Sequence, residues 1–310
     1  MPLLKEVRVL AASIEATSGT LETLDAADSV FNAFDVTAQP GIEFIQRKGQ
    51  GAFSYLPGVL AERIGTINFK THLFGNGSAT TPTWASTLLP MCGFVGSSDT
   101  YSPSSAAPGS NVKTGSLAVF ENGVRKMLRG AVGNCKMIFP TGKLVMLEWT
   151  FMGAWQTVAD VAVPAPTYPT IRPLRYAAGT ITLGGSALYG HEMLEIDFGN
   201  TILMRHDPTA ADGSGISTGL ITGRRVTGRM NPESQLVATH DVYGGWLAGT
   251  EYALSIALTD STDTITIAAP KLQRTNVQEG DRSGLQIDDI EFQCNRSAAA
   301  GNDELTIDFS

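Results

Sequence analysis

The chain has 310 residues, 43% of them hydrophobic and 17% charged, which excludes a disordered polypeptide, because disorder needs the opposite balance. A formal net charge of −8 excludes a general attraction for nucleic-acid phosphate, which needs a surplus of Lys and Arg. No apolar run approaches the roughly 20 residues of a membrane helix, and Met1-Pro2-Leu3-Leu4-Lys5-Glu6 lacks the layout of a signal peptide, so secretion by the standard route is not expected.

Short alternating runs, 33 glycines and few amphipathic helical stretches give an all-β reading. Ile64 to Leu73 alternates. Pro82 to Cys92 predicts a short helix with Trp84, Leu88 and Met91 on one face, although Pro90 threatens its far end. Leu117 to Met127 reads as strand, turn and strand around Asn122-Gly123, the strongest short hairpin signal. Lys143 to Phe151 follows as a strand. In the second half, Val242 to Ala248 around Trp246 predicts a weaker helix. Leu254 to Leu258 and Thr264 to Ile267 predict strands joined by a turn at Asp260 to Thr264. Leu285 to Cys294 and Leu305 to Phe309 complete the series. Arg47 to Pro57, Gly96 to Thr114 and Asp207 to Gly219 read as long loops, which in a compact β domain carry function or meet a partner.

Three residues recur at one spacing: Asp35, Arg63 and Trp84 return as Asp197, Arg225 and Trp246, each 162 residues on. A repeat this long implies two copies of one domain. Pro164, Pro166, Pro169 and Pro173 make an extended spacer between them. The expected organisation is a first domain over 1–162, a linker over 163–172 and a second domain over 173–310. Two like domains in one chain let a small oligomer imitate a ring with twice as many units.

Site chemistry is sparse. His72, His191, His206 and His240 lack metal-helix spacing, and no nucleophile elbow, P-loop or dinucleotide fingerprint occurs. Neither a catalytic set, a cofactor nor a metal is expected. Cys92, Cys135 and Cys294 read as buried reduced thiols of a protein made in the cytosol. Asp207 to Gly213 lacks the closing Glu of a calcium loop. Asp288, Asp289 and Glu291 lie on one strand-like run, whose bland reading is a solvated face. Arg63 and Arg225 read either as surface ion pairs or as residues that join subunits. Trp84 and Trp246 read as core anchors of the two helices.

Several stretches together resemble the tail tube (major tail) proteins of long, non-contractile-tailed bacteriophages. Ala12 to Thr20 is similar to their opening Glu-Thr-x-Gly-Thr segment. Gly65 to Gly75 with Pro82-Thr83-Trp84 and Leu88 is similar to their strand, loop and helix, and Ala299 to Ile307 to their C-terminal strand. The chain departs from the simplest members in being about twice as long.

The resemblance implies a structural virion protein, not an enzyme, built of two tandem tube-type β-sandwich domains with short flanking helices. Sheets of neighbouring subunits would join into a β-barrel around a lumen, with three subunits making a pseudo-hexameric ring, or six if one half were a decoration and not a second tube domain; three is the favoured number. Stacked rings would form the tail tube, assembled in the host cytoplasm. The implied partners are other copies, the tape-measure protein, the tail terminator and the distal tail or tip proteins. DNA would pass through without sequence-specific binding, past acids for which Glu148, Asp288 and Glu291 are candidates, and no membrane is involved. A carbohydrate-binding or adhesin module, or a tail-tip module, is the alternative with the same sandwich physics.

Overall fold

The computed structural model describes residues 7–28, 31–109, 112–177, 179–188, 190–260 and 262–310. Met1 to Glu6, read above for a leader, lie outside them, as do parts of the expected 96–114 loop and of the 260–264 turn. Among the described residues the chain is all-β with two short α-helices and one 3-10 turn at Ala26–Asp28. The first half holds β1 (Arg8–Ile14), β2 (Phe34–Lys48), β3 (Tyr55–His72), α1 (Thr83–Met91), β4 (Phe94–Ser97), β5 (Thr100–Pro103), β6 (Gly115–Glu121), β7 (Val124–Pro140), β8 (Met146–Trp155) and β9 (Ala159–Asp160). The second holds β10 (Thr180–Leu183), β11 (Ser186–Ala187), β12 (His191–Asp197), β13 (Asn200–His206), β14 (Ile216–Arg224), β15 (Thr227–Pro232), α2 (Val242–Leu247), β16 (Glu251–Thr259), β17 (Thr264–Arg282), β18 (Leu285–Cys294) and β19 (Thr306–Phe309). Residues 161–174 between them carry no regular element.

Local chemistry accounts for the elements. Asn122 and Gly123 both take positive φ, 45° and 98°, as a type I′ turn between β6 and β7 requires. In β8, Leu147, Trp149 and Phe151 are buried while Glu148 and Thr150 turn away, the period of two that holds a half-buried strand in register. Helix α1 runs through Pro90, because Leu88, Leu89 and Met91 around it are fully buried. That burial outweighs the one ladder bond a proline removes near a helix end.

The segment 96–114 is not simply a loop. β4 and β5 form a hairpin whose Tyr101 pairs with Ile307 of β19 and meets the Phe309 ring edge-on at 6.0 Å. Residues 47–57 are likewise not a loop along their whole length, since β2 and β3 continue as a hairpin to Lys48 and from Tyr55.

Eight strands form one continuous antiparallel run in the order β2-β3-β8-β7-β12-β15-β18-β17. The last four pair as the first four do. β6 adds to β7 as β16 adds to β17, β1 adds to β6 as β10 adds to β16, and β9 adds to β7 as β19 adds to β17. β7 carries a bulge between Arg129 and Val132, and β17 carries one between Arg274 and Asn276. A bulge bends and twists a strand. In each half it lies where the strand leaves the run of eight for the smaller sheet packed over it.

One hydrophobic core spans both halves, from Phe69, Trp84 and Trp149 to Ile267, Ile290 and Phe309. A smaller cluster, Val9, Ala11, Leu24, Ala118, Phe120 and Met127, covers the other face of the β1-β6-β7 sheet, where Val161 and Val163 lie against it.

Candidate functional site

The two halves of the chain meet along a paired seam. β12 pairs with the C-terminal part of β7, Asp197 opposite Lys136 and Met193 opposite Pro140. Main-chain ladder bonds thus carry the sheet across the boundary, which leaves no exposed edge there. Beyond β12 the chain bends at Phe198 and Gly199, which has φ 64°, and runs out as the β13–β14 hairpin. This arm folds back over the first half, where Met204 and Ile216 pack on Ala154 with Ile64, Met152 and Ile202 beside them.

Polar groups fix the arm in place. The Arg129 guanidinium donates to both Asp212 Oδ2 (3.1 and 3.0 Å) and the Ile216 carbonyl (2.8 Å). Gln156 Nε2 donates to the same carboxylate oxygen at 2.8 Å. Burial pushes the Asp212 carboxyl up, but hydrogen bonds from Gln156 and Ser214 and the Arg129 charge outweigh it and hold it well below the usual range. At the arm's root, Asn200 Nδ2 donates to the carbonyls of Cys92 (2.8 Å) and Gly133 (2.9 Å). Arg224 donates to Glu304 Oε1 at 2.6 Å and to the Ser104 carbonyl at 3.2 Å.

The first half has the counterpart of this arm, and among the described residues its outer part meets no comparable surface. The outer β2–β3 hairpin exposes Ile42, Phe44, Ile45, Val59 and Leu60. Among the described residues, β2 pairs only with β3, and β17 beyond Arg274 pairs only with β18. The run of eight therefore ends in two open edges. Soluble proteins rarely leave such edges bare unless something covers them.

The face of the run that turns away from the core is charged. Lys70 bridges Asp35 (3.4 Å) and Glu148 (3.1 Å), Lys136 meets Glu195 at 2.8 Å, and Arg229 meets Asp289 at 3.7 Å. Asn134 Nδ2 donates to Asp197 at 2.7 Å.

The residues expected from sequence fall in different places. Glu148 and Glu291 lie on this charged face. Asp288 does not: it is 3% exposed and shares the buried side of β18 with Ile290 and Phe292. Adjacent parity decides this, because residues three apart on a strand point to opposite faces. Arg63 is engaged within the chain, its backbone N–H donating to the Ser214 carbonyl at 3.2 Å and its guanidinium to the Asp212 carbonyl. Arg225 is exposed and donates to Gln293 Oε1 at 3.1 Å. Trp84 is 1% exposed, donates to the Phe74 carbonyl at 2.9 Å and meets Trp149 and Phe309 edge-on. Trp246 is half-buried against the margin of the core.

The spacing of 162 does not follow the pairing register. Ile67 and Met230, each buried and each next to a core residue of the following strand, pair with Ala38 and Leu194. That places Leu194, not a residue 162 further on, in the position of Ala38.

Sequence reading missed Arg129, Asp212, Asn200 and the apolar β2–β3 arm. The arm had a signal, in that Ile42 to Ile45 and Tyr55 to Leu60 flank Gly49-Gln50-Gly51. Pro40, Pro57 and Gly58 obscured it.

Burial pushes the Cys92 and Cys135 thiols well up and that of Cys294 up to about 12, so none has thiolate character. Among the described residues no group of His, Cys, Asp and Glu has the arrangement of a metal site, and no helix is long and apolar enough to cross a membrane.

Compared with known protein families, residues 10–309 match the family described as phage tail tube protein. No curated protein matches the chain.

Proposed function

This chain belongs to the phage tail tube protein family, and from that premise we propose that its copies close into rings through the two open edges of the eight-stranded run. The family gives the chain a structural role in the virion tail, in association with itself. The observation that carries the finer reading is the β7–β12 pairing inside the chain. β17 ends the run as β7 ends its first half, and β2 begins it as β12 begins the second. A β2 strand placed on the outer edge of a neighbour's β17 would run antiparallel to it, as β12 does to β7. Such a head-to-tail contact is heterologous and closes when its rotation permits.

The two halves, 1–162 and 173–310 around the 163–172 linker, act in this reading as tandem tube-type domains. Three copies then make a pseudo-hexameric ring, and stacked rings make the conduit through which DNA leaves the capsid. The charged face lines the lumen. Acids outnumber bases on it, and fixed negative charge repels DNA over a Debye length of roughly 8–10 Å. The tape-measure protein would occupy the lumen during assembly, with the tail terminator and distal tail proteins at the ends.

Electron microscopy of the purified protein at rising concentration tests this. Hollow tubes or stacked rings are the expected result. Featureless monomers at every concentration would contradict it and make glycan binding the next property to assay.

A further inference from the structure

Among the exposed apolar side chains that the edge-to-edge joint leaves unexplained, two groups correspond to each other in the fold. One is the β2–β3 arm, where Phe44 is 60% and Leu60 62% exposed. The other is the end of α2, where Leu247 is 84% exposed. Burying such side chains removes apolar surface from water and is favourable, so surfaces of this kind mark contacts.

The chain contains a template for what covers them. α1 and α2 end alike, with Cys92 and Ala248 as caps followed by Gly93 and Gly249 at φ 79° and 64°. The end of α1 is covered by the root of the β13–β14 arm. There Asn200 stands opposite Arg224, and the two donate to the Cys92 and Ser104 carbonyls. A Cβ placed on Gly93 would lie 3.1 Å from Ile221 Cδ1, so the arm and the helix end are in close contact. Among the described residues the end of α2 has no such cover: beyond its neighbours in the chain, a Cβ on Gly249 would meet only the Gln273 side chain. In the β2–β3 arm the equivalent pair is Phe44 opposite Leu60. Thus a polar pair lies over carbonyls inside the chain, while an apolar pair and an apolar helix end remain open.

We propose that Phe44 and Leu60 of the β2–β3 arm seat against Leu247 at the end of α2 in a second copy of this chain. The proposal rests on the ring reading above. It adds a clasp to that joint: while β2 extends the neighbour's sheet at β17, the arm crosses the neighbour's second half as β13–β14 crosses the first half within one chain. The contact is apolar and therefore tolerant of salt, unlike one built on surface ion pairs.

The test uses the full-length chain in three forms beside the wild type. Leu60→Asp and Leu247→Asp alter exposed side chains, so circular dichroism and melting should be unchanged. Each should raise the concentration needed for assembly by more than about tenfold, the factor that about 1.4 kcal/mol carries. In the double variant Leu60→Cys with Leu247→Cys, oxidation of assembled material should give a ladder of cross-linked copies. Neither single variant should do so, and the native cysteines are buried. Wild-type assembly together with normal assembly of both Asp variants would overturn the clasp and leave the ring standing. So would a double-cysteine variant that assembles without cross-linking between copies. A wild-type chain that forms no ring or tube would overturn the ring reading itself, and the clasp with it.

Discussion

Arg129 in β7 and Asp212 in the β13–β14 loop lie 83 positions apart and meet at 3.0 Å in a partly buried ion pair. The pair joins the two halves of the chain. It also fastens the β13–β14 arm, which packs on the first half of the same subunit. Its strength therefore decides whether the subunit presents one free arm or two.

Replacing Asp212 by Ala leaves Arg129 without its counter-charge in a largely enclosed position. Removing one partner of such a pair costs about 3 kcal/mol. The expected outcome is a lower melting temperature and faster amide exchange over residues 200–224, with little change over the arm at 42–60. Equal exchange in both arms of the wild type would contradict the latch.

The same pair sets a pH response. The Asp212 carboxyl is held below its ordinary value of 3.8, so it contributes stability fully above that value and loses it as pH falls through the lower, folded one. At pH 3 the wild type should still melt above the Asp212→Asn variant. Coincident melting curves at pH 3, with a gap at pH 7, would show that the carboxyl is not depressed.

A second titration lies in the other half. His240 Nε2 receives a hydrogen bond from Arg274 Nη2 at 2.9 Å, and burial followed by the Arg274 charge lowers its pKa from 6.5, against the opposing influence of Asp288 and Asp241. A histidine with a lowered folded value stabilises the fold above 6.5, and that contribution is lost as pH falls through the folded value. The wild type should lose melting temperature between pH 7 and pH 5, and His240→Gln should lose less. An equal loss in both would remove His240 from the account.

Trp84 and Trp246 should respond unequally to truncation. Trp84→Ala removes a fully buried side chain, its hydrogen bond to Phe74 and two edge-on ring contacts. The cost is about 3–5 kcal/mol. Trp246 is only partly covered, and Trp246→Ala should cost about 1 kcal/mol, a typical value for a point change. Denaturant titration of the two variants measures the difference.

Charge on the open face should matter for DNA and not for folding. Glu291 is exposed and faces Arg229 in the neighbouring strand. Tubes made from Glu291→Lys protein should retain short duplex DNA at low salt and release it as salt rises, since phosphate contacts release counterions. Wild-type tubes should retain none under the same conditions. Identical behaviour would move the lumen to another face.

The sequence made some of this legible. Asn122-Gly123 placed a hairpin, Leu285 to Cys294 was bounded as the strand is, and the buried face of Trp84, Leu88 and Met91 marked α1. These are local signals of turn chemistry and period. The β2–β3 arm was only faintly legible, because Pro40, Pro57 and Gly58 interrupt its apolar runs and both its faces are exposed in the subunit. Arg129 and Asp212 were not legible either, since nothing local links a strand residue to a loop in the other half. The placement of Asp288 beside Glu291 on one face was a misreading of a rule available in the sequence. The repeat holds no single spacing, because connections of unequal length, the β4–β5 hairpin after α1 and the β13–β14 arm after β12 among them, give each pair of equivalent strands its own offset.

The most direct measurement of the central claim is the rotational symmetry of end-on views of the assembled protein, averaged without imposed symmetry. A ring closed by β17 and β2 of three copies, with two like halves in each, predicts hollow rings with strict three-fold symmetry and a weaker six-fold modulation. Strict six-fold rings containing six whole chains would contradict it, because the internal β7–β12 joint would then have no equivalent role between copies.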